Sequence, residues 1–270
     1  MERPAWAPPG IDISVPSVSR MYDFYLGGSH NFEIDRQAAR RAMEFMPGLP
    51  KVMQANRAFM RRSVRYAAGQ GVTQFLDVGS GIPTHGNVHE VALAADPGSR
   101  VLYVDHDPVA VNHSRAVLGE ETRAGVIAAD LRRPRQILEN AELARLLDLA
   151  QPVALLLYCV LHFVEDADDP YGAVAELGAA LAPGSLLVIN HTSYGGMPVP
   201  EEQAAGAVQV YRDIRNPLSM RSREQIARFF EGYEMVEPGL VSPPDWRPDA
   251  SAEQDDPYAF TGFAGVGRKA

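Results

Sequence analysis

The sequence predicts an α/β fold: a doubly wound, mostly parallel seven-stranded sheet with an N-terminal helical cap. Three observations support this. Apolar runs near 74–78, 101–105, 124–129, 153–158 and 184–190 alternate with amphipathic segments, which is how a parallel sheet with crossover helices is written. Several of these runs are almost wholly apolar, as strands must be when helices cover both sheet faces. The first run, Phe75-Leu76-Asp77-Val78-Gly79-Ser80-Gly81, ends in an acid and opens into a glycine turn at the strand end where such sheets bind ligands.

Before the first strand, residues 1–16 carry Pro4, Pro8, Pro9 and Pro16 with little periodicity and read as a tail. From Ser17, the positions Val18, Met21, Tyr22, Tyr25 and Leu26 share one helical stripe, with Ser17 as candidate cap and Gly27-Gly28 as terminator. A second helix is expected from Asp35 to Met46, stopping at Pro47-Gly48. A third starts with Pro50 at its first position and runs to about Ala68, on a stripe of Val52, Asn56, Phe59, Met60, Ser63 and Ala67.

Between the strands, helices are expected to begin near Asn87, Asp107, Pro134 and Asp169. Asn87 with Glu90 suits a variant capping box, and Asp107-Pro108 suits a cap followed by proline at the first helical position. Past the fifth strand, Thr192 to Pro198 reads as loop, Pro200 to about Arg215 as a helix with Ala204, Ala207, Val208 and Tyr211 on one face, and Ser222 to Phe230 as another. Ser242 to Pro257 is a long exposed connection, and Phe260 to Val266 suits a last strand. The expected organisation is a tail over 1–16, a helical cap over 17–70, and a ligand-binding domain over 71–270 with a helical insert at about 192–220.

The glycine turn narrows the ligand. A dinucleotide fingerprint needs G-x-G-x-x-G, but here Gly79-Ser80-Gly81-Ile82-Pro83-Thr84 lacks the third glycine. Asp77 would oppose a pyrophosphate and favour a cation. The second strand ends at Asp105, where a carboxylate can grip both hydroxyls of a ribose. A phosphate-free, cationic adenosine derivative satisfies all of these features.

Four segments occur together in order: Leu76 to Thr84, Tyr103-Val104-Asp105-His106-Asp107-Pro108, Ala129-Asp130-Leu131-Arg132 and Val160-Leu161-His162-Phe163-Val164. With the N-terminal signature Ser17 to Gly28, they resemble a bacterial family of S-adenosyl methyltransferases of unassigned substrate, long labelled a domain of unknown function. The resemblance runs from about Pro16 to Lys269. It implies a Rossmann-like class I methyltransferase fold whose last strand pairs antiparallel to its neighbour, and S-adenosyl-L-methionine as cofactor.

Composition constrains the acceptor. Net charge is −9, from 34 acidic and 25 basic side chains, a balance that argues against a nucleic-acid partner. A small-molecule acceptor is therefore expected, and nothing in the sequence indicates oligomeric state. The longest apolar run, Val153 to Val164, is too short to span a bilayer. The chain opens without a basic-then-apolar leader, so a cytoplasmic location is expected. Cys159 is the one cysteine, which excludes an intramolecular disulfide and a cysteine-based zinc site.

Roles follow residue by residue, from the side chains and their positions and, for Asp105, from the resemblance as well. Asp77, Gly79, Ser80 and Gly81 form the cofactor turn, and Asp105 takes the ribose. Asp130 and the Leu131 N–H read the adenine. His106 either lies along the adenine face or is a surface imidazole. Tyr158 and His162 line the end of the fourth strand facing the acceptor, and His162 is of the side-chain class that takes a proton near neutral pH. Arg57, on a ridge with Arg61 and Arg65, can neutralise the cofactor carboxylate bidentately, and Tyr22 and Asn31 can close over the pocket.

His85 and His89 lack the order of a metalloprotease helix, so no metal is expected. Asp166, Asp168 and Asp169 read as a helix-entry loop leading into Pro170. The expected reaction is methyl transfer to an oxygen or nitrogen of a small acceptor. Two rivals remain at this point, a cofactor-binding sensor without turnover and a nicotinamide-dependent oxidoreductase.

Overall fold

Four parallel strand pairs and two antiparallel ones build a sheet of order β3-β2-β1-β4-β5-β7-β6 in the computed structural model, which describes residues 12–83, 86–195, 199–214, 216–249 and 262–270. Its strands are β1 (Gln74–Val78), β2 (Arg100–Asp105), β3 (Ala124–Ala128), β4 (Val153–Tyr158), β5 (Leu186–Thr192), β6 (Tyr233–Met235) and β7 (Gly262–Lys269). β7 runs antiparallel to both neighbours, β5 and β6. The short β6 completes the expected seven, although no run of its own marks it in the sequence. Thr84, His85, residues 196–198, Arg215 and 250–261 fall outside the described residues, as does most of the expected tail.

The helices are α1 (Val18–Tyr25), α2 (Glu33–Phe45), α3 (Leu49–Gly69), α4 (Val88–Ala95), α5 (Pro108–Leu118), α6 (Pro134–Leu138), α7 (Ala141–Leu146), α8 (Pro170–Ala179), α9 (Glu201–Asp213) and α10 (Arg223–Ala227). The single helix expected from Pro134 is two, because Asn140 caps a new start by accepting from Glu142 N–H at 2.9 Å. Asp107 caps α5 through Val109 N–H at 2.8 Å, with Pro108 first in the helix. Ser17 stands at the cap position of α1 but does not cap it. Its hydroxyl is drawn to Asp107, and its N–H donates to Asp35 at 2.9 Å.

Strand alternation splits the core into two layers. Leu76, Leu102, Leu155, Leu157, Leu187 and Ile189 pack on one face with α6, α7, α8 and α10. Phe75, Val101, Leu156, Val188 and Val266 pack on the other, against Phe59, Met60, Val64 and Ala67 of α3. α3 therefore belongs to the sheet layer as well as to the cap. A third cluster joins Met21, Tyr25, Ala38, Ala42 and Met46 of the cap region to Ala207, Val210 and Tyr211 of α9, so the cap and the insert share one core.

Candidate active site

Strand order reverses between β1 and β4, and the carboxyl ends of β1, β2 and β4 open there. The glycine turn after β1 is tied to β2: Gly79 and Ser80 N–H donate to Val104 O at 2.8 and 3.1 Å, and Gly81 N–H donates to Asp105 Oδ2 at 2.7 Å. Gly79 (φ +77°) and Gly81 (φ +66°) are both left-handed, which glycine adopts without strain. Their bare backbones serve different ends. A Cβ on Gly79 would stand 2.3 Å from Val160 Cγ2, whereas one on Gly81 would project into open space.

That space is a cavity of about 330 Å³ lined by Asp77, Gly79, Ser80, Gly81, Asp105, His106, Asp130, Leu131, Arg57, Tyr22 and Tyr158, together with Asn56, Cys159, Val160 and Phe163. Every cofactor-binding residue expected from sequence, apart from Asn31, thus borders one volume. Ser80 Oγ is buried there with no hydrogen-bond partner among the described residues. An unsatisfied hydroxyl beside an open glycine and two strand-end carboxylates fits a polar nucleoside ligand.

The carboxylates differ. Asp77 is buried, and burial raises its pKa to about 7; Arg57 opposes the rise and Asp105 adds to it. Asp105 is also pushed up by burial, against the pull of its hydrogen bonds from Asp107 N–H (2.8 Å) and Gly81 N–H. Burial pushes Asp130 up as well, but Arg132 outweighs it: guanidinium contacts of 2.6 and 3.0 Å hold the carboxyl below the usual range. Arg57 reaches Gly86 O at 3.2 Å and Asn87 Oδ1 at 3.4 Å from the cavity wall. His106 is exposed at the cavity rim, 3.7 Å from Asp105.

A second cavity, of about 80 Å³, abuts the first. Val18, Tyr22, Asn56, Cys159 and Phe163 border both. His162 lines this second volume, not the first. It sits in a 3-10 turn, Leu161–Phe163, buried against Phe163 and His191. Burial, then His191 and Arg221, push its pKa well below the ordinary histidine value, which makes it a weak proton acceptor at neutral pH.

Tyr158 lines the first cavity, at the end of β4 as expected. Ser63 Oγ contacts Phe59 O (2.9 Å) and Met60 O (3.0 Å), and its single hydrogen is spent on one of them. The Tyr158 hydroxyl therefore donates to Ser63 at 2.7 Å, which ties it to α3. Asn31 borders neither cavity. It is buried, donating to Asp23 (2.8 Å) and Gly28 O (2.9 Å), where it fastens the turn after α1.

Sequence reasoning missed the corner at Cys159, whose φ of +54° is left-handed without glycine. Asn190 of β5 accepts from Cys159 N–H at 2.7 Å, and the amides of Asn56 and Asn190 approach its sulfur at 3.2 and 3.3 Å. Burial raises the thiol to about 11, so it stays protonated. The available signal was Asn56, a polar residue within the apolar stripe of α3.

Also unforeseen is Arg221, buried and donating to Leu161 O, Val164 O and Asp166 at 2.8, 2.8 and 2.6 Å. It also donates to His191 Nε2 at 2.9 Å, so the hydrogen of that ring lies on Nδ1, given to Thr192 O at 2.6 Å.

A family profile described as S-adenosyl methyltransferase matches residues 4–270. Among solved structures, a DUF574 family protein of Streptomyces avermitilis is 36% identical, with a TM-score of 0.91 over 96% of this chain and 99% of that one. A Thermobifida fusca protein, classed provisionally as a methyltransferase, is 39% identical, with a TM-score of 0.89 over 98% of this chain and 99% of its own. The plantazolicin methyltransferase BamL, solved with a triazolic desmethylPZN analog and S-adenosylhomocysteine, shares the fold at 11% identity (TM-score 0.53; 93% of this chain, 95% of that one). No curated protein matches the sequence. The chain belongs to the S-adenosyl methyltransferase family, whose enzymes use S-adenosylmethionine as methyl donor.

Proposed function

We propose that the protein methylates an oxygen or nitrogen of a small-molecule acceptor held in the second cavity, with the cofactor in the first. One observation carries this reading: the two volumes meet at Tyr22, Asn56, Cys159 and Phe163, so a donor and an acceptor can lie end to end. S-adenosylmethionine supplies a methyl group on a sulfonium that is already a good leaving group. Asp105 takes the ribose hydroxyls, Asp130 and the Leu131 N–H read the adenine, Arg57 faces the carboxylate, and Asp77 offers its charge to the cationic end.

Held in line, two reactants can gain roughly 7–11 kcal/mol over their encounter in solution. Alignment and exclusion of water are therefore assigned the larger share of the acceleration. His162, kept neutral by burial, orients the acceptor, and Tyr158 braces the cavity wall through Ser63. Calorimetric titration with S-adenosylmethionine, followed by a methyl-release screen over small hydroxyl and amine compounds, tests the reading. Binding with turnover of some acceptor is expected. Tight binding with no turnover across a broad panel would leave a sensor as the better account.

A further inference from the structure

Among the described residues, the lining of the second cavity contains no aspartate, glutamate, lysine or arginine, in sharp contrast to the first. Its two imidazoles are both neutral at ordinary pH: His162 lies well below the usual histidine range, and His191 is pushed down to about 3, chiefly by burial. The adjacent buried cation, Arg221, is engaged by Asp166 and by carbonyls of the turn beneath the cavity. A charged ligand entering this volume would lose its hydration and meet no counter-ion, which is costly.

Polar capacity is nonetheless present. The Tyr25 and Tyr211 hydroxyls, both on the cavity wall, stand 3.2 Å apart. That pair uses one of its two hydrogens internally and leaves the other with no protein acceptor among the described residues. Burial pushes the Tyr211 hydroxyl up to about 12, so it keeps its proton and remains a donor.

The remaining wall is supplied largely by Met46, Leu49, Met53 and Met220, flexible side chains that adapt to a flat or branched body. The volume of about 80 Å³ is well below the roughly 150 Å³ of an apolar cavity that takes benzene, so a single ring enters only as one of these methionines shifts aside, and a larger body is excluded.

We infer that this cavity is an acceptor chamber selective for an uncharged, single-ring aromatic compound bearing one hydrogen-bonding heteroatom, and that it rejects carboxylates and ammonium ions. The inference rests on the reading of the first cavity as the cofactor site. Its test therefore has two stages, using the full chain.

Binding of S-adenosylhomocysteine is measured first; its absence would sink the underlying reading. The loaded protein is then titrated with phenol, benzoate and benzylamine near neutral pH. Saturable phenol binding is expected, with both charged probes at least about tenfold weaker. Leu218→Trp, which adds bulk on the chamber wall, should weaken phenol about tenfold or more and leave S-adenosylhomocysteine unaffected. With S-adenosylhomocysteine bound, any one of three results would overturn the inference: no saturable phenol binding, either charged probe equal to or tighter than phenol, or unchanged phenol affinity in Leu218→Trp.

Discussion

Around the cofactor cavity charge is dense, with Asp77, Asp105, Asp130, Arg57 and Arg132 all on its wall; across the shared border at Cys159 the neighbouring chamber has none of the four charged residue types among the described residues. The two regions also differ in how they are assembled. The first takes most of its wall from the ends of β1, β2, β3 and β4, so its key residues sit within a turn of an apolar strand. The second gathers Tyr25 from α1, Met53 from α3, His162 from a 3-10 turn, His191 from β5 and Tyr211 from α9. A ligand with fixed charges is read by short local motifs; a neutral one is enclosed by side chains far apart in sequence.

The sharpest way to break this contrast is at Gly79. In Gly79→Ala, positive-φ strain of about 1–3 kcal/mol adds to overpacking against Val160 of similar size. Cofactor affinity by calorimetry should fall by roughly 100-fold or more. Retained affinity would mean that the turn does not carry the site.

A smaller effect is expected from pH. Asp77 gains its proton as pH falls through about 7, because burial penalises its charged form. A cationic ligand favours the carboxylate, so cofactor binding should strengthen as pH rises to about 7 and then level off. Below that point the loss approaches about tenfold per pH unit. In Asp77→Asn the profile should be flat; a persisting slope would assign the dependence to another group.

The chamber should respond more mildly. For any acceptor turned over, His162→Asn is expected to lower kcat by less than about tenfold, since removal of a working general base typically costs about 10²–10⁴. A larger loss, with the acid limb of the rate profile abolished, would restore His162 as a base. Smallest of all is Arg65→Ala, outside both cavities. Its ion pair with Asp249 at 2.6 Å is half exposed, so stability by thermal melting should change by about 1 kcal/mol or less.

The same contrast explains what could be read in advance. The parallel sheet, the glycine turn and Asp105 were legible because each depends on neighbours a few residues away: apolar runs, a left-handed turn, a strand end. The shared core of the cap and α9 was not, since nothing in Met21 or Tyr211 marks them as members of one cluster. Proton-transfer potential was misleading for a related reason. His162 and Tyr158 have suitable side chains, but their basicity is set by burial and by Ser63, which only the fold brings together. Ser17 shows the same limit locally, its hydroxyl drawn to Asp107, ninety positions away in the chain.

The strained corner at Cys159 has an engineering consequence. It is clasped between an amide from α3 and another from β5. Transplanting a foreign lid onto this sheet, the obvious route to a new specificity, would have to bring a replacement for Asn56. Otherwise the partition between donor and recipient would sag, and the graft would mis-set the very gap across which the carbon must travel.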